Sequence, residues 1–194
     1  RSLTNPPVTF TYVVCEPVGV VITGQGTVVP KDGTVLEIGK PVTASATPAV
    51  GWVLTNWTVE AKGAVVVTTN KALPFTMQSN TVVRAGFGDV QKPVLTVAAP
   101  TASQRWSNQV FTVRGKVTDN WRVGAVWYQL NTNDWALATT GDGWTNWSAN
   151  VTLTAGPNTV RAYAVDEAGN RSLTNPPVTF TYVVCEPVGV VITG

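Results

Sequence analysis

Apolar and polar residues alternate with a period of two along most of this chain, and turn residues interrupt the alternation roughly every ten positions. In the opening stretch Val8, Phe10, Tyr12 and Val14 share one strand face, while Thr9, Thr11 and Val13 fall on the other. Pro6 and Pro7 delay that strand, and Glu16 and Pro17 end it. A second short strand, 18–24, follows at once. No segment sustains the i, i+3, i+4, i+7 spacing of an amphipathic helix, so the pattern predicts an all-β chain.

The alternation continues downstream. Gly-Gln-Gly and Lys-Asp-Gly mark hairpin turns, and Val42, Ala44 and Ala46 line one face of the strand that follows. Beyond Lys92 the apolar faces are Phe111, Val113 and Val117, then Val126, Tyr128 and Leu130, then Trp147, Val151 and Leu153. Val160, Ala162 and Ala164 come next, and Val178, Phe180 and Tyr182 last. About seven strands in some 90 residues suit a β-sandwich.

One stretch is written twice. RSLTNPPVTFTYVVCEPVGVVITG occupies residues 1–24 and again 171–194 without a single difference, pairing Arg1 with Arg171 and Cys15 with Cys185. A fixed period announces an array, and here the period is 170 residues, with the remainder an overlap. Two domains per period are expected. Residues 1–17 read as the last strand of a preceding unit, 18–90 and 91–184 as one complete copy of each domain, and 185–194 as the first strand of the next. The inter-repeat junction is then carried by Val8, Phe10, Tyr12, Val14 and Cys15 and by their copies Val178, Phe180, Tyr182, Val184 and Cys185. A start at Arg1 rather than Met is expected of a piece of a longer polypeptide, which leaves a signal peptide or anchor elsewhere open.

Between residues 18 and 89 the order G-x-G-T-V-x-P, a Gly-containing turn, V-T-A-S-A-T-P, G-W-V-L-T-N-W and V-V-R-A-x-F resembles a divergent internalin-type B-repeat domain. That resemblance implies a small β-rich, β-grasp-like module of exported bacterial surface proteins, found as repeats in stalks or spacers. From Lys92 to Val184 the order P-V-L-T-V-A-A-P, V-R-G-K-V-T-D-N, W-S-A-N-V-T-L-T-A-G-P-N-T-V and A-V-D-E-A-G-N resembles a bacterial Ig-like domain. It lacks the Cys pair that would bridge two sheets. Together the two resemblances imply an elongated array of alternating domains, extracellular or on the cell surface, acting as a stalk, fibre or adhesin shaft.

Composition narrows the chemistry. Hydrophobic residues make up 44% and charged ones 12%, a foldable balance. The formal net charge is +2, with Lys and Arg scattered singly, so nucleic acid is not an expected partner. Apolar runs reach strand length only, so no membrane contact is expected in this window. Histidine is absent, which removes the commonest general base and metal ligand, and no cofactor, metal or catalytic set is expected. Asp119, Asp134, Asp142, Asp166 and Glu167 supply carboxylates in one half of the chain. Asp166 and Glu167 adjoin a Gly-Asn turn, where turn structure is the expected role and a catalytic pair or a calcium ligand set the competing ones.

Eight tryptophans remain to be sorted. The two resemblances imply that Trp57 and Trp147 lie in cores. Trp127 is out of phase with Val126 and Tyr128 and should face away from the core, while Trp121 and Trp144 sit in Asn- and Gly-rich loops. Edge cover, a lateral contact with a neighbouring molecule, and sugar stacking are the three roles open to Trp121, Trp127 and Trp144. Cys15 and Cys185 are one position counted twice. Each is read either as a buried free thiol or as half of a disulfide to a neighbouring chain. The expected partners are further copies of the repeat, in a covalent array or an end-to-end filament. Carbohydrate binding, as an accessory region of a secreted polysaccharide-active protein, is the alternative function.

Overall fold

A computed structural model describes residues 8–61 and 64–184. The chain divides into two compact units, Arg1–Asp89 and Val90–Gly194. Every regular element among the described residues is a strand, as the alternation predicts, and no helix is long and apolar enough to cross a membrane.

Among the described residues the first unit carries nine strands. They are β1 (Cys15–Pro17), β2 (Gly19–Thr23), β3 (Gly26–Val29), β4 (Val35–Glu37), β5 (Pro41–Pro48), β6 (Trp52–Ala61), β7 (Ala64–Thr68), β8 (Ala72–Thr76) and β9 (Val82–Asp89). A four-stranded sheet runs β2-β9-β6-β7, with β2 parallel to β9. A three-stranded sheet runs β3-β5-β8, and β1 pairs with β4 alone. Strict alternation explains the core: Val83, Ala85 and Phe87 of β9 point inward, while Arg84 lies outside, 3.9 Å from Glu60. Trp57 is fully buried, and its Nε1–H donates to the Asn70 carbonyl at 2.6 Å, so the large ring enters the core without orphaning its polar atom.

The second unit is a sandwich of two sheets. Its strands are β10 (Val94–Ala99), β11 (Arg105–Trp106), β12 (Val110–Thr118), β13 (Val123–Leu130), β14 (Ala136–Leu137), β15 (Asn146–Thr152), β16 (Gly156–Asp166) and β17 (Val178–Tyr182). One sheet runs β10-β12-β15 and the other β11-β17-β16-β13-β14. Between them lie Phe111, Val113, Val126, Trp147, Val160, Ala162, Ala164 and Phe180, with Leu95, Val97 and Tyr128 packed at the margin. Asn158 is fully buried yet satisfied. Its Nδ2–H donates to the carbonyls of Thr154 and Gly156, and its Oδ1 accepts from Thr154 N–H and Asn131 Nδ2–H. Such a buried polar hub fixes the turn before β16, because any partner lost there leaves an amide desolvated.

One close contact marks the inner side of the three-stranded sheet. Trp147 on β15 stands opposite Gly115 on β12, and its indole lies over the glycine. A Cβ at Gly115 would run into the Thr96 carbonyl and the Trp147 ring edge. Gly115→Ala is therefore expected to cost about 1–3 kcal/mol, as overpacking does. The check is the urea midpoint of the 194-residue chain, and an unchanged midpoint would contradict the packing described.

Candidate functional site

The junction residues singled out lie in the repeated segment, and its two copies have opposite surroundings. In the second copy, β17 inserts between β11, to which it is parallel, and β16, to which it is antiparallel. Phe180 is fully buried, its ring centroid 5.0 Å from that of Phe111, which in turn meets Trp106 edge-on at 5.1 Å. Tyr182 packs against the same core and Val178 is half-buried, whereas Val184, past the strand end, is 50% exposed.

The polar residues ahead of β17 belong to the same design, and strand alternation alone gave no sign of them. β17 pairs with β16 only over Gly156–Val160. Farther along β16, the N–H of Ala162 donates to Asn175 Oδ1 and the N–H of Ala164 to Ser172 Oγ, and Ser172 is itself buried. The segment thus satisfies the edge of β16 with side chains where its own backbone has not yet become a strand. The signal available in sequence was the Ser-x-x-Asn ahead of the Pro-Pro pair. Their copies Ser2 and Asn5 lie outside the described residues.

In the first copy, residues 8–14 join no sheet. Phe10 and Tyr12 are each 90% exposed and Val8 76%. A pairing begins only at Cys15, in β1, where Cys15, Glu16 and Pro17 stand opposite Glu37, Leu36 and Val35. Residues 15–17, read from sequence as the end of a preceding unit, are thus tied to the first unit. The cause is local: Ile38 N–H donates to the Val14 carbonyl, and the Glu16 carboxylate accepts from Ser79 Oγ at 2.9 Å and from Asn80 N–H at 3.3 Å. The Cys15 thiol is free and exposed, so the buried-thiol reading does not hold at this copy. Cys185 and the strand expected at 185–194 lie outside the described residues.

The three tryptophans singled out separate into two places. Trp121 and Trp144 line a surface groove of about 620 Å³ with Arg122, whose guanidinium carbon is 5.5 Å from the Trp121 ring centre. Trp144 is less open than its loop suggested: its ring packs against the sandwich core, and its backbone holds φ at 78°, a rare state for a bulky side chain. Thr140 Oγ1 accepts from Trp144 N–H, and the loop is tied by Asp142, whose Oδ1 accepts from Asn146 N–H at 2.9 Å. Trp127 lies elsewhere, in register with Tyr163 and Leu137 on the outer side of the five-stranded sheet, facing away from the core as its phase predicts.

The carboxylates sort into turns. Asp166 Oδ1 accepts from Asn170 N–H at 2.7 Å and Oδ2 from Asn170 Nδ2–H at 2.8 Å, the turn role expected of it. Asp119 Oδ2 accepts from Trp121 N–H at 3.3 Å, and one oxygen of Asp119 comes within 4.8 Å of one of Asp166. Asp142, fully solvated, has its carboxyl held below the ordinary value, first by the Asn146 backbone N–H and then by the Asn146 side chain.

With this geometry in place, comparison with known proteins gives three results. Residues 17–91 match the family model described as the divergent InlB B-repeat domain. No curated protein matches. Among solved structures, the chain is similar to the fibronectin(III)-like modules of Clostridium thermocellum CbhA, at 11% identity and TM-score 0.41, over 89% of this chain and 95% of that one. It is also similar to CopC from Methylosinus trichosporium OB3b, at 15% identity and TM-score 0.36, over 50% of this chain and 99% of that one. Those two likenesses carry no argument about function. The family match shows a B-repeat-like module in the first unit.

Two outcomes follow from the site. Phe180→Ala should lower stability by about 3–5 kcal/mol, as loss of a buried Phe does, while Phe10→Ala, the same letter in the other copy, should stay within about 0.5 kcal/mol. Urea titrations of the two variants check the contrast, and equal effects would contradict it. For Asp142 the folded pKa is lowered, so its contribution to the loop is complete above the ordinary value of 3.8 and is lost as pH falls through the lower folded one. Carboxyl-carbon NMR should place its midpoint below 3.8. In Asp142→Asn the near-UV signal of Trp144 should lose its acid-dependent step.

Proposed function

We propose that this chain is one period of a long, tandemly repeated protein of the bacterial surface, in which a B-repeat-like unit alternates with an Ig-like sandwich to form a stalk, fibre or adhesin shaft. The observation that carries the reading is the segment written twice with two environments. In residues 171–182 Phe180 fills the core, and Ser172 and Asn175 satisfy the edge of β16. In residues 8–14 the same letters leave Phe10 and Tyr12 in water. An apolar segment that wide open marks an interaction site, and the place that β17 takes between β11 and β16 in the second unit supports a matching place for it in another copy. Residues 8–14 close the sandwich of the preceding copy.

The family match supports the surface setting, since it covers the first unit, where the resemblance implies an exported module. The function is then mechanical. Repetition turns chain length into reach, and an unrelated unit between identical sandwiches keeps identical strands from exchanging as they fold. A covalent array fits the overlap better than strand exchange between separate chains, because exchange needs only one chain of a pair to carry the donor.

Antibodies raised against the 194-residue chain, used on the producing cells, provide the test. The expected antigen is surface-exposed and many times the 20.6 kDa of this chain. An intact antigen of one period's mass would overturn the array, as would one confined to the cytoplasm.

A further inference from the structure

The outer side of the five-stranded sheet in the second unit is built differently from an ordinary solvated face. On β16, Ala162 and Ala164 point into the core and are fully buried, so Arg161 and Tyr163 point outward. Each faces a counterpart on β13, Arg161 opposite Gln129 and Tyr163 opposite Trp127. The aromatic part is held rigid. Trp135 meets Tyr163 edge-on with centroids 4.7 Å apart, and the Arg171 guanidinium carbon lies 3.6 Å from the Tyr163 ring centre.

Beside this aromatic band runs a groove of about 460 Å³, lined by Gln129, Asn131, Thr132, Thr159 and Arg161. Its lining is polar and holds no carboxylate; Asp134, on the intervening turn, does not line it. Gln129 is oriented by donating from Nε2 to the Asn133 carbonyl at 2.8 Å, and Asn131 by accepting from Thr159 N–H at 2.8 Å. Arg161 is exposed and forms no ion pair among the described residues. The groove therefore offers an uncompensated planar cation, fixed amides and hydroxyls, and aromatic rings alongside.

We propose that this groove binds an anionic polysaccharide, one of whose carboxylates pairs with Arg161 while neighbouring sugar rings lie along the Trp127 side of the sheet. A guanidinium takes a carboxylate through two parallel hydrogen bonds, which fixes the sugar's orientation as well as its charge. Amides and hydroxyls suit the sugar hydroxyls, and a groove on the outer side of the sheet admits a polymer chain. A nucleic acid would need a broader run of cations than two arginines on one face. This proposal stands independently of the array, since it concerns a face complete within one unit.

Affinity electrophoresis of the 194-residue chain through gels containing polygalacturonate tests it, with dextran as the neutral polymer and polyuridylate as the non-sugar polyanion. Polygalacturonate should retard the chain, and dextran and polyuridylate should not. Arg161→Gln should weaken the apparent affinity about tenfold, the scale of one charged hydrogen-bonded contact, while Lys116→Gln, an exposed cation on the other sheet, should leave it unchanged. Arg161 is exposed, so an unfolding midpoint equal to that of the parent chain accompanies the expected loss. Absence of retardation, equal loss in both variants, or equal retardation by polyuridylate would each overturn the site.

Discussion

A β-strand has no hydrogen bonds of its own, and that constraint governs this molecule. A helix of seven residues could at least begin to satisfy its backbone internally, whereas a strand takes every donor and acceptor from neighbours. Residues 178–182 find β16 on one side and β11 on the other and become a strand. Residues 8–14 have the same side chains and the same alternation and are not a strand. Nothing local separates the two copies. The difference between a fully buried Phe180 and a Phe10 left 90% exposed lies in the sheet supplied around it.

The start of the first unit shows how pairing begins within a few residues. Val14 still gives its carbonyl to Ile38, Cys15–Pro17 pair with β4, and Glu16 is held by Ser79 and Asn80. Residues 8–14 join no sheet, whereas from Cys15 onward the chain is tied to the first unit, so the changeover falls at Cys15–Pro17. Two of the three residues at the changeover, Glu16 and Pro17, are poor strand formers, which suits a ladder this short. The Glu16 carboxylate fastens to a loop more than sixty positions away in sequence, so the changeover is fixed by a tertiary contact.

Alternation made the all-β class and most of the core legible in advance. Ala44, Ala46 and the inward faces of β12, β13, β15 and β16 stand where period two places them, because a pleated strand leaves a side chain only two directions. The burial of Trp57, which follows a register shift in β6, was implied by the family resemblance and not by alternation. Pairing order was not legible. That β2 runs parallel to β9, or that β11 lies against β17, depends on contacts between residues far apart in sequence, for which alternation carries no information. Loop conformation was also hidden. Trp144 looked exposed because its neighbours are Gly, Asp, Thr and Asn, yet the hydrogen bonds of Thr140 and Asp142 turn its ring onto the core. Ser172 and Asn175 escaped notice because their use appears only when the unpaired edge of β16 is counted.

The same counting separates the tryptophans by what they can do. Trp144 is held at a positive φ with its ring against the sandwich, so it cannot leave that position to meet a ligand without giving up packing. Trp127 is on a strand, and its direction is set by Val126 and Tyr128 packing inward on either side. A ring fixed by the pleat presents the same face whether or not anything is bound, and a binder that begins ordered loses less entropy on association than one that must be ordered. The outer side of the five-stranded sheet is therefore where this sandwich can carry recognition without disturbing what holds it together: the inward residues of β13 and β16 maintain the core, and the outward ones remain available to vary.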